Sequence, residues 1–144
     1  MKKFMFALLI LFYSCGSNQE NKSGGEDNDL VSAENIELSG NYMIRNIRAE
    51  NVASEKIELK FDSTRQEFSG NAGCNRFSSG YERSGIKVTF KPVVSTKMYC
   101  EGKMEMESAI TEILPEITQM VLQNGELVFI NENLDPLLTI EKIK

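Results

Sequence analysis

The stretch Phe68-Ser69-Gly70-Asn71-Ala72-Gly73-Cys74-Asn75-Arg76-Phe77 restricts this chain's folding more than any other. It joins one strand-like run to another through two glycines, with an asparagine on either side of Gly73. Glycine enters the left-handed backbone region without a Cβ clash, and asparagine side chains bond to nearby backbone. Gly70 and Gly73 therefore predict a forced tight bend that holds Cys74 in a defined place. A second block, Ser95-Thr96-Lys97-Met98-Tyr99-Cys100, lies beyond a further glycine-punctuated hairpin and carries the other cysteine of the globular part. The two blocks are expected to meet in space.

Around the bend the pattern is that of short strands. Tyr42, Ile44 and Ile47 outline a first strand, and Ile57, Leu59 and Phe61 alternate strictly with charged residues, as a half-buried strand does. Gln66 to Ser69, Arg76 to Glu82, Ile86 to Phe90 and a short run through Val93-Val94 continue the meander, and Pro92 ends the last alternating run. The period changes after Gly102. Met106, Ala109, Ile110, Ile113 and Leu114 fall on one helical face and Glu105, Ser108, Thr111 and Glu112 on the other, so a helix is predicted from about Lys103 to Leu114, stopped by Pro115. Asn124-Gly125 then turns a hairpin, and Leu137 to Ile143 supplies a closing strand. These elements predict an α+β fold: a strongly curved, barrel-like antiparallel sheet with one helix packed against it.

The G-N-A-G-C-N-R-F and S-T-K-M-Y-C blocks followed by an acidic helix resemble the META domain family, the group that includes the bacterial heat-shock protein HslJ. The resemblance covers roughly Ile36 to the C-terminus. It marks Gly70, Asn71, Gly73, Cys74, Asn75, Thr96, Met98, Cys100 and Glu107 as family-motif positions, with Glu107, Ile110 and Leu114 matching the family's helix spacing. Tyr42 stands where the family usually has tryptophan. The family has no established enzymatic activity, so the resemblance implies a fold and a stress-related envelope setting rather than a reaction.

Residues 1–14 read as a lipoprotein signal peptide. Lys2-Lys3 precede ten mostly apolar residues, Phe4 to Tyr13, far short of the roughly 20 needed to span a bilayer, and Ser14-Cys15-Gly16 follows. Phe12-Tyr13-Ser14-Cys15 resembles a bacterial lipobox, which implies that Cys15 becomes a lipidated N-terminus; a small core element with Cys15 as a buried thiol is the alternative. Gly16 next to it favours the outer membrane. Residues 15–34 are nearly devoid of apolar side chains and are expected to form a flexible polar tether, with the domain at residues 35–144. The tether's acidic residues lack the pattern of an EF-hand loop.

Composition excludes several function classes. The chain has no histidine, which removes the commonest general base and metal ligand, and no tryptophan. Its formal charge is −5; loss of Lys2 and Lys3 with the signal peptide leaves 14 basic and 21 acidic residues, or −7, so nucleic acid is not an expected partner. The glycine bend lacks the Gly-Lys-Ser/Thr ending of a phosphate loop. Cys15, Cys74 and Cys100 cannot complete a zinc site, and Cys74 has no histidine to activate it. In an oxidising compartment, with Cys15 lipidated, Cys74 and Cys100 are expected to pair as a disulfide, which on the chain-entropy view stabilises by about 3–4 kcal/mol; two adjacent buried thiols are the alternative.

The expectation is thus a monomeric, non-enzymatic envelope lipoprotein without cofactor or metal, held to the membrane through Cys15 and contacting an envelope protein or a small apolar ligand. A half-barrel carrier or inhibitor whose cleft buries an apolar ligand or peptide is the rival. Cys15→Ser should move the protein from the membrane fraction to the soluble fraction, with mass spectrometry finding lipid on the parent alone. An equally membrane-bound variant would end the lipobox reading.

Overall fold

The computed structural model describes residues 30–143. The elements in chain order are β1 (Leu30–Ser32), β2 (Gly40–Ile47), β3 (Glu50–Asn51), β4 (Glu58–Asp62), β5 (Glu67–Asn71), β6 (Arg76–Ser84), β7 (Lys87–Phe90), β8 (Val94–Ser95), α1 (Met104–Ile113), β9 (Gln119–Gln123), β10 (Glu126–Ile130) and β11 (Pro136–Lys142). The strands form one sheet in which β9, β10, β11, β2, β4, β5, β6 and β7 follow one another. All of its pairings are antiparallel. β7 returns to β9 where Lys87 faces Gln119, flanked by Val88 N–H to Thr118 O at 3.0 Å and Met120 N–H to Ile86 O at 2.8 Å. The curved sheet therefore closes on itself, and α1 packs against it, as the alternating runs predicted. No helix among the described residues is long and apolar enough to cross a membrane.

The inward positions of the alternating strands fill the interior. Aromatic rings cross it in a continuous ladder from Tyr42 on β2 to Phe61, Phe68, Phe90 and Phe129 on β10, with successive centroids 5.5, 5.5, 5.1 and 5.7 Å apart. Burial of each such side chain contributes about 1.5–3 kcal/mol, and edge-to-face contacts add to it. Removal from water also pushes the phenols of Tyr42 and Tyr81 above their ordinary value of 10.0. From α1 and the turn after it, Ile110, Ile113 and Leu114 join the same core. Pro115 ends the α-helix by starting a 3-10 turn, Leu114–Glu116. At the β9–β10 turn both Asn124 and Gly125 have positive φ, +52° and +85°, the signature of a type I′ hairpin.

Two features depart from the sequence reading. Gly70 has no left-handed backbone; it lies within β5, and a Cβ there would come within 2.5 Å of Phe77 Cζ and 2.7 Å of Leu59 Cδ2. It is glycine so that these two core side chains can close over it. The sheet also begins at Leu30, inside the segment whose composition suggested tether: β1 pairs with β9, Leu30 opposite Gln123 and Ser32 opposite Val121. Ala33 and Leu38 beyond it are buried in the core. Arg83 on β6 holds this entry segment, its guanidinium donating to the carbonyls of Ala33 and Glu34 at 2.8 Å each and to that of Ile36. Tyr81 donates its hydroxyl to Leu38 O at 3.3 Å. The signal peptide, Cys15 and most of the tether assignment lie outside the described residues.

Ile110→Ala should lower stability by about 2–5 kcal/mol in urea denaturation, while Glu112→Ala on the exposed face should stay within about 0.5 kcal/mol. Gly70→Ala should cost about 1–3 kcal/mol through overpacking. Equal losses at Ile110 and Glu112 would contradict the face assigned to the helix.

Candidate functional site

The two motif blocks do meet, and the residue that joins them is Asn75. The bend that delivers it is set by Gly73, with φ +97°, and by Asn71, whose Oδ1 accepts the Gly73 N–H at 2.8 Å. Asn75 itself does not fold back on the bend through its side chain. Its carboxamide is fully buried and crosses to the second block and to the helix. Nδ2 donates to Met98 O at 3.0 Å and to Glu107 Oε2 at 2.6 Å; Oδ1 accepts from Thr96 Oγ1 and from Met98 N–H, both at 2.8 Å. An asparagine side chain offers two donors and can accept twice at its oxygen, so this one is completely satisfied.

Thr96 continues the network. Its Oγ1 accepts the Arg76 N–H at 3.2 Å while its own N–H donates to Arg76 O at 3.0 Å, stitching the segment after β8 to the start of β6. Cys74 and Cys100 are joined as a disulfide with Cα atoms 6.2 Å apart, inside the span such bonds require. Lys103 then runs its aliphatic stem over Gly73, where a Cβ would stand 3.2 Å from Lys103 Cδ, and reaches Glu55 at 3.1 Å. Of the motif residues, Asn71, Gly73, Cys74, Asn75, Thr96, Met98, Cys100 and Glu107 converge on this junction. Gly70 stands in the neighbouring strand.

The junction holds an unusual surface. Only the backbone of Met98 enters the network; its side chain is 55% exposed and that of Tyr99 84%, with Val94 and Met104 also exposed nearby. A cleft of about 340 Å³ is lined by Met98, Tyr99 and Met104 together with Asn75, Thr96 and Glu107 among others. Both cysteines are in the disulfide and all four polar positions of the Asn75 amide are taken, so the arrangement presents apolar contact from Met98, Tyr99 and Met104 beside the charged side chains of Lys97 and Glu107. Sequence reasoning named the motif positions but missed that Asn75 joins Thr96, Met98 and Glu107 and that Tyr99 faces water. The pairing of an asparagine beside one cysteine with a threonine four residues before the other was the available signal.

A closed antiparallel barrel with one packed helix and a disulfide-stapled junction defines the class of domain. A META domain family model matches residues 34–144, and the chain belongs to that family. No curated protein matches it. A protein from Burkholderia xenovorans solved by NMR is similar in fold at a TM-score of 0.64 and 19% identity, over 88% of this chain and 98% of that one. A second NMR structure gives a TM-score of 0.55 at 26% identity, over 72% and 89%. A DUF4847 family protein from Bacteroides vulgatus, a crystal structure, gives 0.56 at 12%, over 78% and 98%.

Asn75→Asp removes the donors to Met98 O and Glu107 and sets two carboxylates face to face. It should cost at least about 1–3 kcal/mol for each buried group left unpaired. Glu107→Gln placed in the Asn75→Asp chain supplies a new donor and should recover about 0.5–3 kcal/mol of that loss, read from urea midpoints in a double-mutant cycle. Strict additivity would show that the 2.6 Å contact contributes nothing.

Proposed function

We propose that this protein is a non-enzymatic envelope lipoprotein, anchored to the outer membrane through Cys15, that serves envelope maintenance or stress tolerance by docking a protein partner on the Met98–Tyr99–Met104 surface. One observation carries the reading. A buried amide with every position filled, a disulfide and a threonine bridge all act to fix a segment that turns Met98 and Tyr99 outward beside Lys97, with Met104 next to them at the start of α1. A loop that merely connected β8 to α1 would need no such fixing. Tyrosine and methionine are enriched in interface cores, and a preorganised loop loses little freedom on binding. The envelope setting and the stress association rest on the resemblance between this chain and HslJ-like proteins, and the anchor rests on the lipobox pattern.

The carrier reading has less support. The interior that would have formed its cleft is crossed by the ring ladder from Tyr42 to Phe129.

Affinity capture of the full-length protein from its native envelope, before and after heat shock, with analysis of both proteins and lipids, tests the proposal. The parent should retain a partner that Tyr99→Ala and Met98→Ser lose; a central aromatic anchor worth about 2 kcal/mol or more corresponds to roughly a 30-fold weakening. Both variants should keep the parent's urea midpoint. Equal capture by parent and variants would remove the surface from the reading, and stoichiometric copurified lipid without protein would favour the carrier.

A further inference from the structure

An apolar groove of about 350 Å³ lies on the outer face of β9 and β10, away from the junction, and includes Val121, Val128, Ile130, Leu134 and Pro136 in its lining. Val128 and Ile130 are buried yet stand apart from the interior core, to which their neighbours Leu127 and Phe129 belong. Leu134 overhangs them at 66% exposure with φ +67°. Among the described residues it is the one apolar side chain of the non-glycine residues with positive φ, a conformation costly for a bulky residue. Asn131 enforces that geometry: its Oδ1 accepts the N–H groups of Asn133 and Asp135 at 2.9 Å each, and its carbonyl accepts the Leu134 N–H at 3.1 Å.

The groove's floor is a sheet face, and its backbone is already paired. β10 lies between β9 and β11, while the other edge of β9 is shared by β1 and β7. An extended peptide seated there would find no main-chain partners and would bury its own amides unpaired. A hydrocarbon chain has no such requirement. The chain enters the described structure at the groove's rim, because Leu30 pairs with Gln123, itself a lining residue. Fourteen residues separate Leu30 from Cys15. That length reaches about 50 Å at full extension, so whatever Cys15 carries can return to the groove.

We propose that this groove is the resting place of an acyl chain borne by Cys15, competing with the bilayer for it. The inference rests on the lipid-anchor reading above. A groove of this size shelters one chain at most, so it lowers the protein's hold on a membrane without abolishing it.

The mature chain from Cys15 onward, with Cys74 and Cys100 oxidised, has Cys15 as its only free thiol. Alkylating it with a hexadecyl iodoacetamide that ends in a diazirine provides the probe. Irradiation in the absence of vesicles should label the residues around Val121 and the segment from Val128 to Pro136 within a monomer. At a millimolar effective concentration the groove should weaken binding to phosphatidylcholine vesicles about fivefold or more relative to Leu134→Asn and Val121→Ser. Asn tolerates the left-handed backbone at position 134, so that variant keeps the loop. Labelling of a second copy, labelling elsewhere on the domain, or equal vesicle affinity of parent and variants would overturn the groove assignment. Mass spectrometry of Cys15 from the native envelope separates the two claims: an unmodified thiol there would overturn the anchor and this occupant together, whatever the probe labels.

Discussion

A single neutral amide ties the parts of this molecule that the chain keeps far apart. Asn75 reaches the backbone of Met98 and the carboxylate of Glu107, 23 and 32 residues on, and it does so with no exposure to water. Burying an amide without partners costs several kcal/mol, whereas burying one with all its positions filled costs little and fixes every group it touches. The network is therefore all or nothing. The bend, the segment before α1 and the first turn of α1 can hold their places only together. The disulfide acts differently, by limiting the freedom of the unfolded chain between residues 74 and 100. The amide specifies the arrangement, and the covalent bond makes departures from it rarer.

The ring ladder determines where function can reside. A closed sheet of this size has room inside for side chains or for a small ligand, and here aromatic side chains bridge it from β2 to β10. Among the surfaces left on the outside are the stapled loop at one place and the outer face of β9 and β10 at another. Both carry exposed apolar side chains held by asparagine-centred hydrogen bonding, Asn75 beneath Met98 and Asn131 beneath Leu134. Exposed apolar groups on rigid supports avoid the entropy cost that a mobile loop would meet on binding.

Features set within a few residues were legible in the sequence. The alternation of Ile57, Leu59 and Phe61 fixed which side of β4 faces inward, Asn124-Gly125 fixed its hairpin, and the 3.6-residue spacing of Met106, Ile110 and Ile113 fixed the buried face of α1. The reason for Gly70 was not legible, because the atoms that exclude a Cβ there come from Leu59 and Phe77 on the two flanking strands. β1 was missed for the same kind of reason. Three residues after a polar run carry no periodicity of their own, and their strand state comes from β9, some ninety positions away. At the junction the cysteines, asparagines and threonine announced themselves, but the pattern of donors and acceptors among them is a property of three dimensions.

β1 also explains how the barrel seam is finished. The seam with β7 reaches β9 only through Gln119 and Met120, leaving positions 121–123 for another strand. An open edge of that kind invites pairing with a second chain. The chain covers it with its own entry segment, and Arg83 secures that segment through three carbonyls that would otherwise need water. The start of the described chain is thereby part of the closure rather than an appendage to it. A pull transmitted from the N-terminal side would act on β1 and the Arg83 clamp first, and through them on the seam between β7 and β9. The junction at Asn75 lies on neither β7 nor β9, but β6 connects it to the clamp: Arg83 is near one end of that strand, and Arg76 at the other bonds to Thr96 in both directions.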